Sequence, residues 1–218
     1  MIDHDLLTYL EGFLTDQRKQ RFVEILSQCT TYLTVAVEDV YHLHNTSAII
    51  RSCDSFGIQE VHAIEDRFGD RLDKKIALGA EKWVDVHRHA TTVSCIQHLK
   101  AQGYQIVATV PQEGGQLLSN FEVTTKTAVF FGTEREGLSE AMQQHADAFL
   151  QIPMVGFSES LNVSVSAAII IQKLADELRK SRLPWHLSDL QQQEKRFDWI
   201  KKSIKIVEQI IGHYQNPS

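Results

Sequence analysis

The sequence predicts an α/β protein with a mostly parallel sheet and helices on both faces. Two observations carry this. From Leu33 to Lys180, short β-rich apolar runs alternate with stretches of helical periodicity, which is the pattern of a parallel sheet whose crossovers are helices. Polar clusters then stand where apolar runs end: Asn45 to Arg51, Phe131 to Ser139, and Ile152 to Ser164. In an open α/β sheet, ligands bind in the loops beyond the carboxyl ends of the strands, so these clusters mark a candidate site.

Taken in order, residues 3–29 place Leu6, Leu7 and Leu10, then Phe22, Val23 and Leu26, at helical spacing, as one or two amphipathic helices do. Strands are expected at Leu33–Val37, Glu60–Ile64, Trp83–Val86, Gln105–Val110, Thr127–Phe131 and Ala148–Ile152. Between them, Ser47–Phe56, Thr92–Gln102, Ser139–His145 and Ser160–Lys180 read as helices. Loops are expected around Gly79 and from Gln112 to Asn120, where Pro111, Gly114 and Gly115 break any regular pattern. Pro184 closes the long helix, and Leu187–Tyr214 reads as a further amphipathic segment with Phe197, Ile200, Ile204, Val207 and Ile211 on one face. The organisation expected is a helical extension over residues 1–32, one core domain over 33–180 and a second helical extension over 181–218.

With 43% hydrophobic and 23% charged residues the chain can bury a sizeable core. No apolar run approaches the roughly 18 residues that span a bilayer, and the start Met1-Ile2-Asp3-His4-Asp5 is acidic, so a cytoplasmic protein is expected. Cys29, Cys53 and Cys95 are isolated and odd in number, which points to buried small hydrophobes rather than disulfides. The net charge of −6 argues against phosphate binding, but residues 161–218 hold nine Lys/Arg against six Asp/Glu, and Arg18-Lys19-Gln20-Arg21 forms a second basic cluster. His42-x-His44 and His87-x-His89 each set two imidazoles on one strand face, yet no third ligand follows at suitable spacing, so no metal is expected.

Neither Gly-x-Gly-x-x-Gly nor Gly-x-x-x-x-Gly-Lys-Ser/Thr is present, which removes the ordinary dinucleotide and P-loop sites. Instead, Asn45-Thr46-Ser47-Ala48-Ile49-Ile50-Arg51 with its continuation to Gly57, Phe131-Gly132-Thr133-Glu134-Arg135-Glu136-Gly137-Leu138-Ser139, and Ile152-Pro153-Met154 to Ser166 resemble the three signature motifs of the SpoU/TrmH branch of the SPOUT RNA 2′-O-methyltransferases. The likeness runs from about Leu33 to Leu178 in the same order and spacing. It implies S-adenosylmethionine as cofactor, a homodimer, RNA as substrate and a C-terminal trefoil knot, an arrangement that pattern alone would have excluded.

The resemblance also implies roles for single residues. Arg51 matches the family's central catalytic residue, and Asn45, Glu134, Ser160 and Asn162 match groups that orient it and the substrate. A ribose hydroxyl attacks a methyl sulfonium only if its proton is removed or its developing oxyanion is stabilised. Guanidinium has a pKa above about 12, which favours an orienting and electrostatic Arg51 over a simple base. Asn45, Ser160 and Asn162 can also cap helices, and Glu134 suits a helix start. Thr109, Gly132, Ile152 and Leu161 match the donor pocket, where contacts run largely through backbone. Basic flanks with Arg18, Lys19 and Arg21 in front and Lys173, Arg179, Lys180 and Arg182 behind resemble those of the enzymes that methylate the tRNA D-loop guanosine. Ribosomal RNA or another tRNA ribose is the alternative substrate, and a non-catalytic RNA-binding factor on the same fold is the alternative of another class.

Overall fold

The computed structural model describes residues 3–38, 43–64, 79–111, 114–133 and 136–216. The chain divides into two compact units, one of residues 1–29 with 186–218 and one of residues 30–185. The two terminal segments, read in sequence as separate extensions, thus share one unit.

That helical unit comprises α1 (His4–Glu11), α2 (Asp16–Leu26), α7 (Asp189–Ser203) and α8 (Val207–Gln215). Asp3, Thr15 and Ser188 cap the first three of these by accepting from backbone N–H groups of the opening turn. Phe22 of α2 meets Trp199 of α7 edge to face at 5.6 Å, and both are almost fully buried. The expected single segment over Leu187–Tyr214 is broken instead. Ile204 takes an extended backbone at the end of α7, a conformation that suits a β-branched residue and one that amphipathic period alone does not reveal.

The larger unit holds seven parallel strands: β1 (Leu33–Glu38), β2 (Glu60–Ile64), β3 (Asp85–His89), β4 (Gln105–Val110), β5 (Gln116–Leu117), β6 (Thr127–Phe131) and β7 (Ala148–Gln151), in the order β3-β2-β1-β6-β4-β7-β5. Val35 is aligned with Val61 on one side and Val129 on the other, so β1 is an interior strand. Alternation along it separates two cores. Val35 and Val37 pack with Ile49 and Cys53 of α3 (Leu43–Ser55) and Ile170 and Leu174 of α6 (Val163–Lys180). Ala36 belongs to the opposite core, with Ile96 and Leu99 of α4 (Thr92–Ala101) and Met142 of α5 (Glu140–His145). Helices therefore cover both faces, as expected, and all three cysteines are buried thiols.

Boundaries differ from expectation at several elements; α6, for one, begins at Val163 and not at Ser160. β5 lies in the stretch read as a loop, because a two-residue ladder carries no periodic signal. The third strand runs Asp85–His89 rather than Trp83–Val86; at the sheet edge the polar run His87-Arg88-His89 needs no apolar partners. Helix α3 starts at Leu43, four residues before the expected Ser47, so Asn45 lies inside its first turn and is not an N-cap.

Candidate active site

A cavity of about 300 Å³ opens at the carboxyl ends of β4, β6 and β7, at the low end of the about 300–1,000 Å³ usual for small-molecule sites. Its walls are Thr109 to Pro111 at the end of β4, Gly132, Thr133, Glu136 and Gly137 after β6, and Ile152 and Met154 after β7. The first turns of α6 and the segment before it close the far side with Ser160, Leu161, Val163 and Ser166. The lining is mostly apolar, and Glu136 is its one ionisable side chain among the described residues.

The loop after β6 is shaped by close backbone approach. Thr133 N–H donates to the Gly137 carbonyl and Gly137 N–H donates back to the Thr133 carbonyl, both at 3.0 Å. Glu136 N–H donates to Thr133 Oγ1 at 3.0 Å. Gly137 has φ +69°, in the left-handed region that favours glycine. A Cβ on Gly132 would lie 2.3 Å from the Gly137 carbonyl carbon and oxygen, so only glycine fits there. Glu134 and Arg135 lie outside the described residues, as does His42.

One buried carboxylate anchors the loop's far end. Glu38, 3% exposed at the end of β1, accepts from Ser139 N–H at 2.8 Å and from Ser139 Oγ at 2.6 Å. The Thr92 hydroxyl, at the start of α4, donates to the same carboxylate. Ser139 in turn caps α5. Sequence reasoning did not single out Glu38; the signal was a charged residue closing the otherwise apolar run from Leu33.

The first and third clusters meet through their amides. Asn162 Nδ2 donates to Asn45 Oδ1 at 3.2 Å, while Asn162 Oδ1 caps α6 by accepting from Ser164 and Val165 N–H groups. Ser160 does not cap the helix; it lines the cavity. Thr109, Gly132, Ile152 and Leu161, the expected donor-pocket positions, all line it together. The Thr109 hydroxyl donates to the Phe130 carbonyl at 2.8 Å, so it has no hydrogen left to donate to a ligand. Arg51 lies beyond the middle of α3, exposed, and is not part of the cavity wall.

The basic residues are distributed over both units. Arg18 lies over the Phe22 ring, Lys19 pairs with Asp16 and Arg21 with Glu24. In the larger unit, Lys173 pairs with Glu177 and Lys180 with Asp176, and Arg182 is exposed. Pairs of this exposed kind contribute about 0–1 kcal/mol and exchange partners readily. Arg179 differs: its guanidinium donates to the Ala175 and Phe56 carbonyls and lies over the Trp185 ring, a structural engagement.

Comparison with known proteins agrees with this architecture. The chain is 35% identical over 207 residues to the tRNA (guanosine(18)-2'-O)-methyltransferase of Borreliella burgdorferi, covering 94% of this chain and 95% of that one. The A. aeolicus TrmH/SpoU tRNA modifying enzyme superposes with a TM-score of 0.77 at 28% identity, covering 87% of this chain and 98% of that chain. The SpoU methyltransferase AviRb from Streptomyces viridochromogenes, solved with AdoMet, shares the fold with a TM-score of 0.63 at 22% identity, covering 70% of this chain and 62% of that chain. Residues 32–172 match the model of the SpoU rRNA Methylase family, and the chain belongs to that family.

Proposed function

We propose that this chain transfers a methyl group from S-adenosylmethionine to the 2′-oxygen of an RNA ribose, and that its substrate is the D-loop guanosine of tRNA. The observation that carries the substrate is the 35% identity to a tRNA guanosine 2′-O-methyltransferase over nearly the whole of both chains. The family's name, a ribosomal RNA methylase, favours ribosomal RNA as the second reading.

The cavity suits the donor on two counts. Its lining is mostly apolar, and the Glu136 carboxylate favours a cationic sulfonium over its neutral product. The donor supplies an activated methyl group. Thr109, Gly132, Ile152 and Leu161 hold it, chiefly through main-chain groups. Asn45, Ser160, Asn162 and Glu134 orient the ribose and the catalytic side chain. Arg51 holds the ribose and adjacent phosphate and stabilises negative charge on the 2′-oxygen as its proton leaves. When bound there, S-adenosylmethionine would supply the methyl group to the 2′-oxygen and leave as the neutral thioether, with the hydroxyl proton passing to solvent water.

The enzyme is proposed to act as a homodimer. An apolar groove lined by Phe56, Leu118, Ile152 and Ile169, beside exposed Val165, supports this. In a dimer Arg51, which lines no wall of its own chain's cavity, is available to the cavity of a second copy. A trefoil knot in the segment from Ile152 to Asn162 is proposed with it, supported by the non-sequential strand order β1-β6-β4-β7. Arg18, Lys19, Arg21, Lys180 and Arg182 are assigned to RNA phosphates. Lys173 lines the groove and Arg179 is engaged with backbone, so both are left out. No helix among the described residues is long and apolar enough to cross a membrane, and the reaction is assigned to the cytoplasm.

The test is incubation with tritiated S-adenosylmethionine and unmodified tRNA transcripts, followed by mapping of the label. Label on the D-loop guanosine 2′-oxygen is expected. Label only on ribosomal RNA would move the substrate, and label on neither would leave an RNA-binding factor.

A further inference from the structure

The edge of the sheet carries a cluster of imidazoles and a thiol that methyl transfer does not use. β2 and β3 pair with His62 opposite His87 and Ile64 opposite His89. Residues two apart on a strand share a face, so His87 and His89 lie on one side of β3. The His62 ring stacks on His87 with centroids 5.1 Å apart, and its Nδ1 lies 3.0 Å from His89 Nε2. Helix α4 adds Cys95 and, one turn on, His98, whose ring centroid is 5.4 Å from that of His89 and 5.9 Å from that of His62.

Two features ask for a ligand here. Donor atoms of His62, His89 and Cys95 all lie within 4.8 Å of one another. His62 is 1% exposed, and its Nε2 is buried with no hydrogen-bond partner. Whichever of His62 and His89 donates across the 3.0 Å contact, His62 Nε2 stays unpaired, whereas buried polar atoms in folded proteins are generally satisfied by protein, water or an ion.

We propose that His62, His89 and Cys95 bind a zinc(II) ion, with the fourth tetrahedral position open to water beside His98. Imidazole and thiolate donors suit zinc, while calcium and magnesium demand oxygen ligands. Tetrahedral bonds of about 2.0–2.3 Å set donors roughly 3.3–3.8 Å apart, so the site closes by about 1 Å on binding. Burial, reinforced by His87, His89 and His98, lowers the His62 pKa to about 3, which keeps its lone pair free at neutral pH. Burial, and then the charge of Glu38, pushes the Cys95 thiol up to about 12, so binding releases its proton to solvent. The ion ties β2, β3 and α4 together, three residues beyond the Thr92 contact to Glu38.

The test uses untagged full-length protein, stripped with a chelator, dialysed and titrated with zinc chloride in a calorimeter. One ion per chain is expected, with affinity at least tenfold weaker in His89→Ala and no binding of magnesium. Cobalt(II) should give a thiolate charge-transfer band in the parent that Cys95→Ser lacks. His89 is only half-buried, so His89→Ala keeps the test decisive if Cys95→Ser fails to fold. No zinc uptake by the parent, or uptake unchanged in His89→Ala, would overturn the proposal.

Discussion

Replacing Gly132 by alanine tests the shape of the cavity most directly. The new Cβ would lie 2.3 Å from Gly137 C and O and 2.5 Å from Leu138 N, where ordinary contact begins at 3.4 Å. All three are backbone atoms, so residues 137–138 must retreat by about 1 Å, which is overpacking of a kind that costs about 1–3 kcal/mol. The retreat stretches both Thr133–Gly137 hydrogen bonds from 3.0 Å; at about 1 kcal/mol each, their loss gives about 2 kcal/mol of destabilisation. It also drives Leu138 out of its place in the cavity wall. Donor affinity should therefore fall by about tenfold or more, equivalent to about 1.4 kcal/mol. Calorimetric titration with S-adenosylmethionine and thermal unfolding measure the two effects. Gly137→Ala is the control: nothing lies within 4 Å of its Cβ, and only its φ of +69° is strained. That strain costs about 1 kcal/mol without filling the cavity. A Gly132→Ala protein with unchanged melting and donor affinity would refute the close-approach argument, and equal affinity losses in both variants would assign the effect to backbone conformation.

Other perturbations separate the remaining groups. Arg51→Ala should reduce methyl transfer by about 100-fold or more while donor affinity persists, as expected for loss of an oxyanion stabiliser outside the cavity wall; single-turnover transfer and donor titration would show it. Asn162→Ala should cost about 1 kcal/mol more in denaturant unfolding than Asn45→Ala, because both remove the amide pair but only the first removes the cap of α6. Acid should unfold the protein through His62. Its folded pKa of about 3 lies below the ordinary 6.5, so the unfolded chain binds the extra proton. Stability is full above pH 6.5 and falls by about 1.4 kcal/mol per unit as pH drops toward 3. In chelator, His62→Gln should show a shallower acid limb in chemical denaturation, and identical limbs would exclude the assignment.

The alternation of strands and helices and the order of the three polar clusters were readable from residues alone, because they depend on local periodicity and on residue type. Thr109, Gly132, Ile152 and Leu161 were expected at the donor pocket from a resemblance, and the fold brings all four to one cavity. Boundaries were read less well where periodicity is weak: the edge strand through His87 and His89, the short β5, and the break at Ile204. Contacts between distant segments were not readable. Asn45 with Asn162, Glu38 with Ser139 and Thr92, and His62 with His89 and Cys95 are separated by long stretches of chain. A sequence records which donors and acceptors exist, while strand order and register decide which of them meet. For that reason, composition and pattern determined the α/β class and the family likeness, and only the tertiary structure decided the amide pair, the buried carboxylate anchor and the imidazole cluster.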